Sequence, residues 1–159
     1  MSATVHLLCG KTGSGKTTFA RALEQERKAL LLSADEWMIL LFGRDMEREL
    51  FDARLRVCKE LIYGVSERLT RLGVDVVLDF GFWARAERNA ARDRISASGA
   101  AHVLYFFDAA DDVLRKRLRA RNSRLPANAY EITDEMFEEF GGMFEPPAAD
   151  ETCVRIVVE

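Results

Sequence analysis

Gly10-Lys11-Thr12-Gly13-Ser14-Gly15-Lys16-Thr17 is the stretch of this sequence with the most specific chemistry. It satisfies G-x-x-x-x-G-K-[ST] at every fixed position, and Thr18 adds a second hydroxyl. Glycines permit a backbone path in which successive N–H groups turn inward around an anion. A helix starting at the lysine points its positive end at the same place. Lys16 is then expected to neutralise the β- and γ-phosphates of a nucleoside triphosphate, with the Thr17 hydroxyl on Mg²⁺. The implied ligands are ATP and Mg²⁺, although nothing in the motif separates adenine from guanine.

Other charged residues fall where a second reactant could meet that phosphate. Asp35 follows an apolar run, so it is placed at the carboxyl edge of a sheet, where open α/β folds bind ligands. A carboxylate there can take the proton of an acceptor hydroxyl and act as general base; the alternative is a helix N-cap. Asp79 ends another apolar run and is a candidate for holding Mg²⁺ through water or contacting the acceptor, or for a structural cap. Arg85 follows closely and is read as a binder of acceptor anions or a surface ion pair. Arg115, Lys116, Arg117, Arg119, Arg121 and Arg124 form a basic block, followed by an acidic stretch from Glu131 to Glu151. That block suggests a local anion site, with a solvated helix face as the plainer reading. Arg117 and Arg121 share a face, one turn apart.

These residues need elements to place them. Val5–Cys9 reads as a buried strand, 16–27 as a helix, and Ala29–Ser33 as a second strand. Trp37–Phe42 is apolar throughout. Phe51, Leu55, Cys58, Leu61, Ile62, Val65, Leu69 and Leu72 recur at helical spacing, and Gly73 is a natural stop. Val74–Asp79 is a third strand, Ala84–Ser98 a helix, His102–Phe107 a fourth strand and Asp111–Arg121 a helix with acid first and base last. Residues 122–133, with Pro126, read as a flap. Thr133 starts another helix, Gly141-Gly142 is expected to stop it, and Cys153–Val158 is the last strand. Alternating strands and helices predict an α/β protein with a parallel sheet covered on both faces.

The full P-loop, the short chain and the Arg117-Leu118-Arg119-Ala120-Arg121 segment ahead of a flap resemble the small P-loop kinases: adenylate, shikimate and gluconate kinases. Leu32-Ser33-Ala34-Asp35 is similar to the branch of polynucleotide kinases, zeta toxins and chloramphenicol phosphotransferase. The resemblance covers nearly the whole chain in layout, with the P-loop as its specific match. It implies a three-layer P-loop NTPase fold with five parallel strands in the order 2-3-1-4-5. It also implies a helical acceptor-binding region over 35–72 and a flap whose arginines close over the phosphoryl group. Asp35 matches the aspartate that serves these kinases as base. Arg121 is expected at the phosphates, Arg117 nearer the nucleotide base, and Arg124 is a flap alternative. Phe144-Glu145-Pro146-Pro147 occupies the position of the loop around adenine. Trp37, Phe42, Phe82 and Trp83 line an acceptor pocket or belong to the core.

The chain of 159 residues fits one domain, with 48% hydrophobic residues to fill a core. No apolar run is long enough for a membrane span, and no basic segment marks a signal peptide. Three cysteines far apart (Cys9, Cys58 and Cys153) read as reduced thiols, so a cytoplasmic location is expected. A net charge of −3 argues against a long nucleic-acid track. The reading is an ATP-dependent kinase acting on a hydroxyl of a small molecule, monomer or dimer. The alternatives are a polynucleotide 5′-hydroxyl kinase, a toxin-like nucleotide-sugar kinase, or a non-kinase P-loop ATPase.

Overall fold

Strand β1 (Thr4–Gly10) is buried from Val5 to Gly10, so both of its faces need cover. The alternation of side chains sets the two layers. Val5, Leu7 and Cys9 join one core cluster, whereas Leu8 points into the other. The computed structural model describes residues 2–159 and continues with α1 (Lys16–Arg27), β2 (Leu30–Ser33), α2 (Ala34–Phe42), α3 (Arg48–Arg71) and β3 (Val76–Gly81). After these come α4 (Arg85–Ala97), β4 (Ala101–Ala109), α5 (Asp111–Asn122), α6 (Asp134–Met143) and β5 (Val154–Val158).

The strands pair in parallel in the order β2-β3-β1-β4-β5, as expected. Ala20 and Leu23 of α1 cover one face. Met38 of α2, Cys58 and Ile62 of α3, and Ala91 and Ile95 of α4 cover the other. Leu114 and Leu118 of α5 form a third cluster with Ile132 and Phe137, which fastens α6 and the end of the flap to α5. No helix among the described residues is long and apolar enough to cross a membrane. Cys9 and Cys58 are buried, Cys153 is half-buried, and all three are free thiols; burial pushes the Cys9 thiol up to about 11.

Several boundaries differ from the sequence reading. β3 starts at Val76 and runs through Asp79 to Gly81, because pairing with β1 continues to Cys9↔Gly81. α5 takes in Asn122, whose side chain exchanges hydrogen bonds with the backbone of Ile132. Gly141-Gly142 does not stop α6, which continues to Met143. Neither glycine has a positive φ, so the pair supplies no left-handed terminus. Ser33, rather than Asp35, caps α2: its Oγ accepts the Glu36 N–H at 3.3 Å, leaving the Asp35 carboxylate without that capping role. Thr133 caps α6 in the same way, accepting from Met136 N–H.

Candidate active site

The chain order reverses beside β1, since β2 and β3 lie on one side of it and β4 and β5 on the other. Open α/β sheets form a crevice at this place, at the carboxyl ends of the strands. Gly10–Gly15 fills it, and α1 starts at Lys16 directly after. Gly13 and Gly15 have φ of 87° and 90°, which side chains rarely tolerate. At Gly13 a Cβ would also lie 2.9 Å from Leu118 Cγ of α5, so the loop packs directly on that helix. Lys16 Nζ donates to Lys11 O at 2.8 Å and reaches Ser14 Oγ at 3.4 Å. The ammonium thus spans the loop that a phosphate would occupy. Desolvation lowers its pKa, and the carboxylates of Asp79 and Asp35 oppose that shift.

Thr17 Oγ1 donates to Asp79 Oδ2 at 3.0 Å. A hydroxyl and a carboxylate side by side are hard oxygen donors of the kind Mg²⁺ takes. Among the described residues no group of three or more His, Cys, Asp or Glu could hold a metal alone. The pair therefore fits an ion that completes its shell with phosphate oxygens and water.

Asp35 lies in the first turn of α2, accessible to solvent but crowded by protein atoms in the crevice. Desolvation raises its pKa and the Asp79 carboxylate raises it further, while Lys16, Lys59 and Arg121 pull the other way. Arg121 donates to Tyr130 O at 3.1 Å, and its Nε is buried without a partner. Burial lowers its pKa against the pull of Asp35. Lys16, Asp35, Asp79 and Arg121 thus share one electrostatic neighbourhood.

The remaining expected residues divide. Arg117 Nη1 lies 3.5 Å from where a Cβ on Gly15 would stand, and its Nη2 donates to Glu159 O at 3.0 Å. Thr12 lines a small space with Trp83 and Phe140, Lys11 ion-pairs with Asp111 at 2.8 Å, and Thr18 is exposed. Arg85 is engaged by Asp150 through two hydrogen bonds of 3.0 and 2.5 Å, the surface ion pair of the two readings. Arg124 is exposed, with no side-chain hydrogen bond or ion pair among the described residues. The basic block is not a single anion site. Arg115 pairs with Glu138 and Arg119 with Asp134, so α6 neutralises much of it while Arg121 turns toward the crevice. Phe82 is fully buried and Trp37 packs on the same core. Phe144 stacks near Phe106, with the Lys11 ammonium 5.9 Å from its ring centre.

Three features were not read from the sequence. Trp83 Nε1 donates to Gly10 O at 3.1 Å, bracing the entrance of the P-loop. Arg88 is completely buried, pairs with Glu151 through two bonds of 2.9 and 2.8 Å, and donates to the carbonyls of Phe82, Trp83 and Glu145. Its burial had a sequence signal, because it lies in helical phase with Ala91 and Ile95. Lys59 of α3 ion-pairs with Glu87 at 2.8 Å and lies 5.4 Å from the Phe80 ring centre, next to Asp79. It borders a groove of about 360 Å³ between α3 and α4, with Leu55, Tyr63 and Arg94 also in the wall.

The family model described as "AAA domain" matches residues 5–147. No curated protein matches the chain. Solved structures share its fold at low identity. A candidate kinase from Chloroflexus aurantiacus j-10-fl is 18% identical with a TM-score of 0.75, over 99% of this chain and 88% of that one. The Mycobacterium tuberculosis APS kinase, in complex with AMPPNP and APS, is 16% identical with a TM-score of 0.66, over 98% and 88%. Kti12 of Chaetomium thermophilum, in complex with ADP-AlF3, is 17% identical with a TM-score of 0.71, over 96% and 88%. With a complete P-loop at the switch point of a 2-3-1-4-5 sheet and a family match over most of its length, the chain belongs to the AAA domain family and has a P-loop kinase-like fold.

Proposed function

We propose that this protein transfers the γ-phosphoryl group of ATP to a hydroxyl of a small molecule, with Asp35 as general base. The observation that carries the reading is the gathering of Lys16, Thr17, Asp35, Asp79 and Arg121 at one sheet edge, from α1, α2, β3 and α5. The loop amides and the α1 N-terminus hold the phosphates, and Lys16 exchanges its bond to Lys11 O for a phosphate oxygen. Asp35 takes the proton of the acceptor hydroxyl and orients its oxygen for in-line attack. Crowding makes this carboxylate a stronger base than a free one, which favours that proton transfer. Arg121 adds positive charge on the flap side, where the transferred group carries charge in the transition state. Thr17 and Asp79 would hold Mg²⁺, which when bound draws charge from the phosphate oxygens. Gly10–Thr18 and Arg117 account for nucleotide binding, and the 35–72 region with the α3–α4 groove for the acceptor.

The test is transfer from γ-labelled ATP with Mg²⁺ to a panel of nucleosides, nucleotides, sugars, nucleotide sugars, aminoglycosides, chloramphenicol and a 5′-hydroxyl oligonucleotide. Asp35→Asn should lower transfer by about 10²–10⁴-fold with ATP affinity kept within a few-fold. The acid limb of the wild-type rate profile should lie above the ordinary carboxylate value of 3.8, because the base is lost when Asp35 takes up its proton. Label released only as inorganic phosphate, equally from both proteins, would sink the proposal in favour of an ATPase.

A further inference from the structure

Helix α3 has two apolar sides, and only one of them is used within the chain. Cys58, Ile62 and Ser66 are buried. On the other side Leu50, Val57 and Leu61 remain 45%, 61% and 57% exposed. Leu50, Arg54, Val57, Leu61, Gly64 and Arg68 follow at alternating intervals of four and three residues. That period of 3.5 keeps a stripe on one side of a helix and is the spacing of a helix–helix seam. The end of α2 extends the stripe: the Arg54 guanidinium lies 4.2 Å from the Phe42 ring centre, and Leu40 and Leu41 beside it are 78% and 60% exposed. Leu50, Val57, Leu61 and Phe42 by themselves leave roughly 350 Å² of apolar surface in water, within the range of the largest patch on a monomer, which is often functional.

We propose that this stripe is the docking surface for a second copy of the chain, with the two α3 helices antiparallel about a two-fold axis near residue 59. The flanking charges choose this partner and this direction. Glu47 and Glu49 lie at the start of α3, and Arg68 and Arg71 at its end. None of these four has an ion-pair partner among the described residues. A parallel pair would set acid against acid and base against base. An antiparallel pair sets Glu47 of each copy against Arg71 of the other, with Glu49 and Arg68 at the same two ends, and also opposes the helix dipoles. In this register Val57 meets Leu61 of the second copy. Arg54 crosses the second copy's Gly64, where a Cβ would touch nothing within 4 Å, so the seam has room for the larger side chain. Leu50 packs along the aliphatic stem of Arg68. The surface is thus complementary to itself in shape and in charge.

Sedimentation velocity on the full chain tests this across a range of micromolar concentrations. The mass should rise from 18.0 kDa toward twice that value. Val57→Glu with Leu61→Glu should weaken self-association by about 10-fold or more while the far-ultraviolet circular dichroism is kept, since both side chains face water in the single chain. Reversal of Glu47 and Glu49 to Arg should also weaken it, and adding Arg68→Glu and Arg71→Glu should restore it. That rescue distinguishes an antiparallel seam from a general loss of helix stability. A wild-type chain that stays monomeric, a dimer indifferent to the glutamates at 57 and 61, or a charge reversal without rescue would each overturn the proposal.

Discussion

Within the P-loop the bonds between its own residues are short in sequence: Lys16 reaches Lys11 O, and Ser14 N–H reaches the same carbonyl. In the turn after β3, on the neighbouring strand, they are long. Trp83 reaches back to Gly10, Arg88 meets Glu151, and Glu145 N–H donates to Trp83 O. The first region carries its conformation in consecutive residues, two of them glycines with positive φ. The second holds a fully buried Phe82 at a φ of 46°, an unfavourable value for a bulky side chain, and needs distant groups to keep it there. The difference separates two kinds of importance. Residues of the first region are the ones proposed to act on phosphate directly, whereas those of the second keep the crevice in shape.

Substitutions should divide along the same line. The largest effect is expected from Lys16→Ala, which removes the charge inside the phosphate loop. Transfer should fall by about 10³-fold or more, with the melting temperature nearly unchanged, because no core contact is lost. An unfolded or strongly destabilised variant would show instead that the lysine holds the loop together. Arg88→Met should do the reverse. It leaves buried Glu151 with Arg92, at 3.0 Å, as its remaining cation and leaves the carbonyls of Phe82, Trp83 and Glu145 without this donor, so stability should drop by about 3 kcal/mol in denaturant titrations.

The same ion pair sets a pH dependence. Hydrogen bonds from Arg88 above all, and from Arg92 and the Ala148 N–H, lower the Glu151 pKa from 4.5 to about 2 against the opposing effect of burial. The folded state therefore keeps this carboxylate ionised where the unfolded chain would already protonate it. Its contribution, about 3 kcal/mol, is full above the unfolded value and is lost as pH falls from about 4.5 toward 2. Acid unfolding of the wild type should steepen in that window, and Glu151→Gln should flatten it. The smallest effect belongs to Trp83→Phe. It removes one N–H bond to Gly10 O and keeps most of the contact with Phe140, so the KM for ATP should rise about 3–5-fold with kcat little changed. A large fall in kcat would move Trp83 from bracing the loop to the reacting atoms.

The legible part of the molecule was the part with local causes. Apolar runs bounded by glycine or by charge marked the strands, a 3.6-residue period marked α3, and eight consecutive residues spelled the phosphate loop. Asp35 and Asp79 were legible as carboxylates near the carboxyl ends of β2 and β3, although Asp35 falls in the first turn of α2 and β3 runs two residues past Asp79, because a parallel sheet puts all such ends on one edge. Helix termini were less so. Gly141-Gly142 looked like a stop, yet the helix crosses it because Phe137, held in the α5 cluster, fixes α6.

By itself, then, the sequence determined the cradle and the layering, since glycine placement, hydroxyl spacing and side-chain periodicity act within a few residues. Only the tertiary structure decided which charges serve which purpose. Of the six basic residues after Asp112, two meet the acids of α6 and Arg121 faces Asp35. Arg85 is held by Asp150 at the surface, whereas Arg88, one turn along the same helix, is completely buried against Glu151. An arginine carries the same charge wherever it occurs. What it does depends on the groups brought within hydrogen-bonding distance, and those come from chain segments that only folding places together.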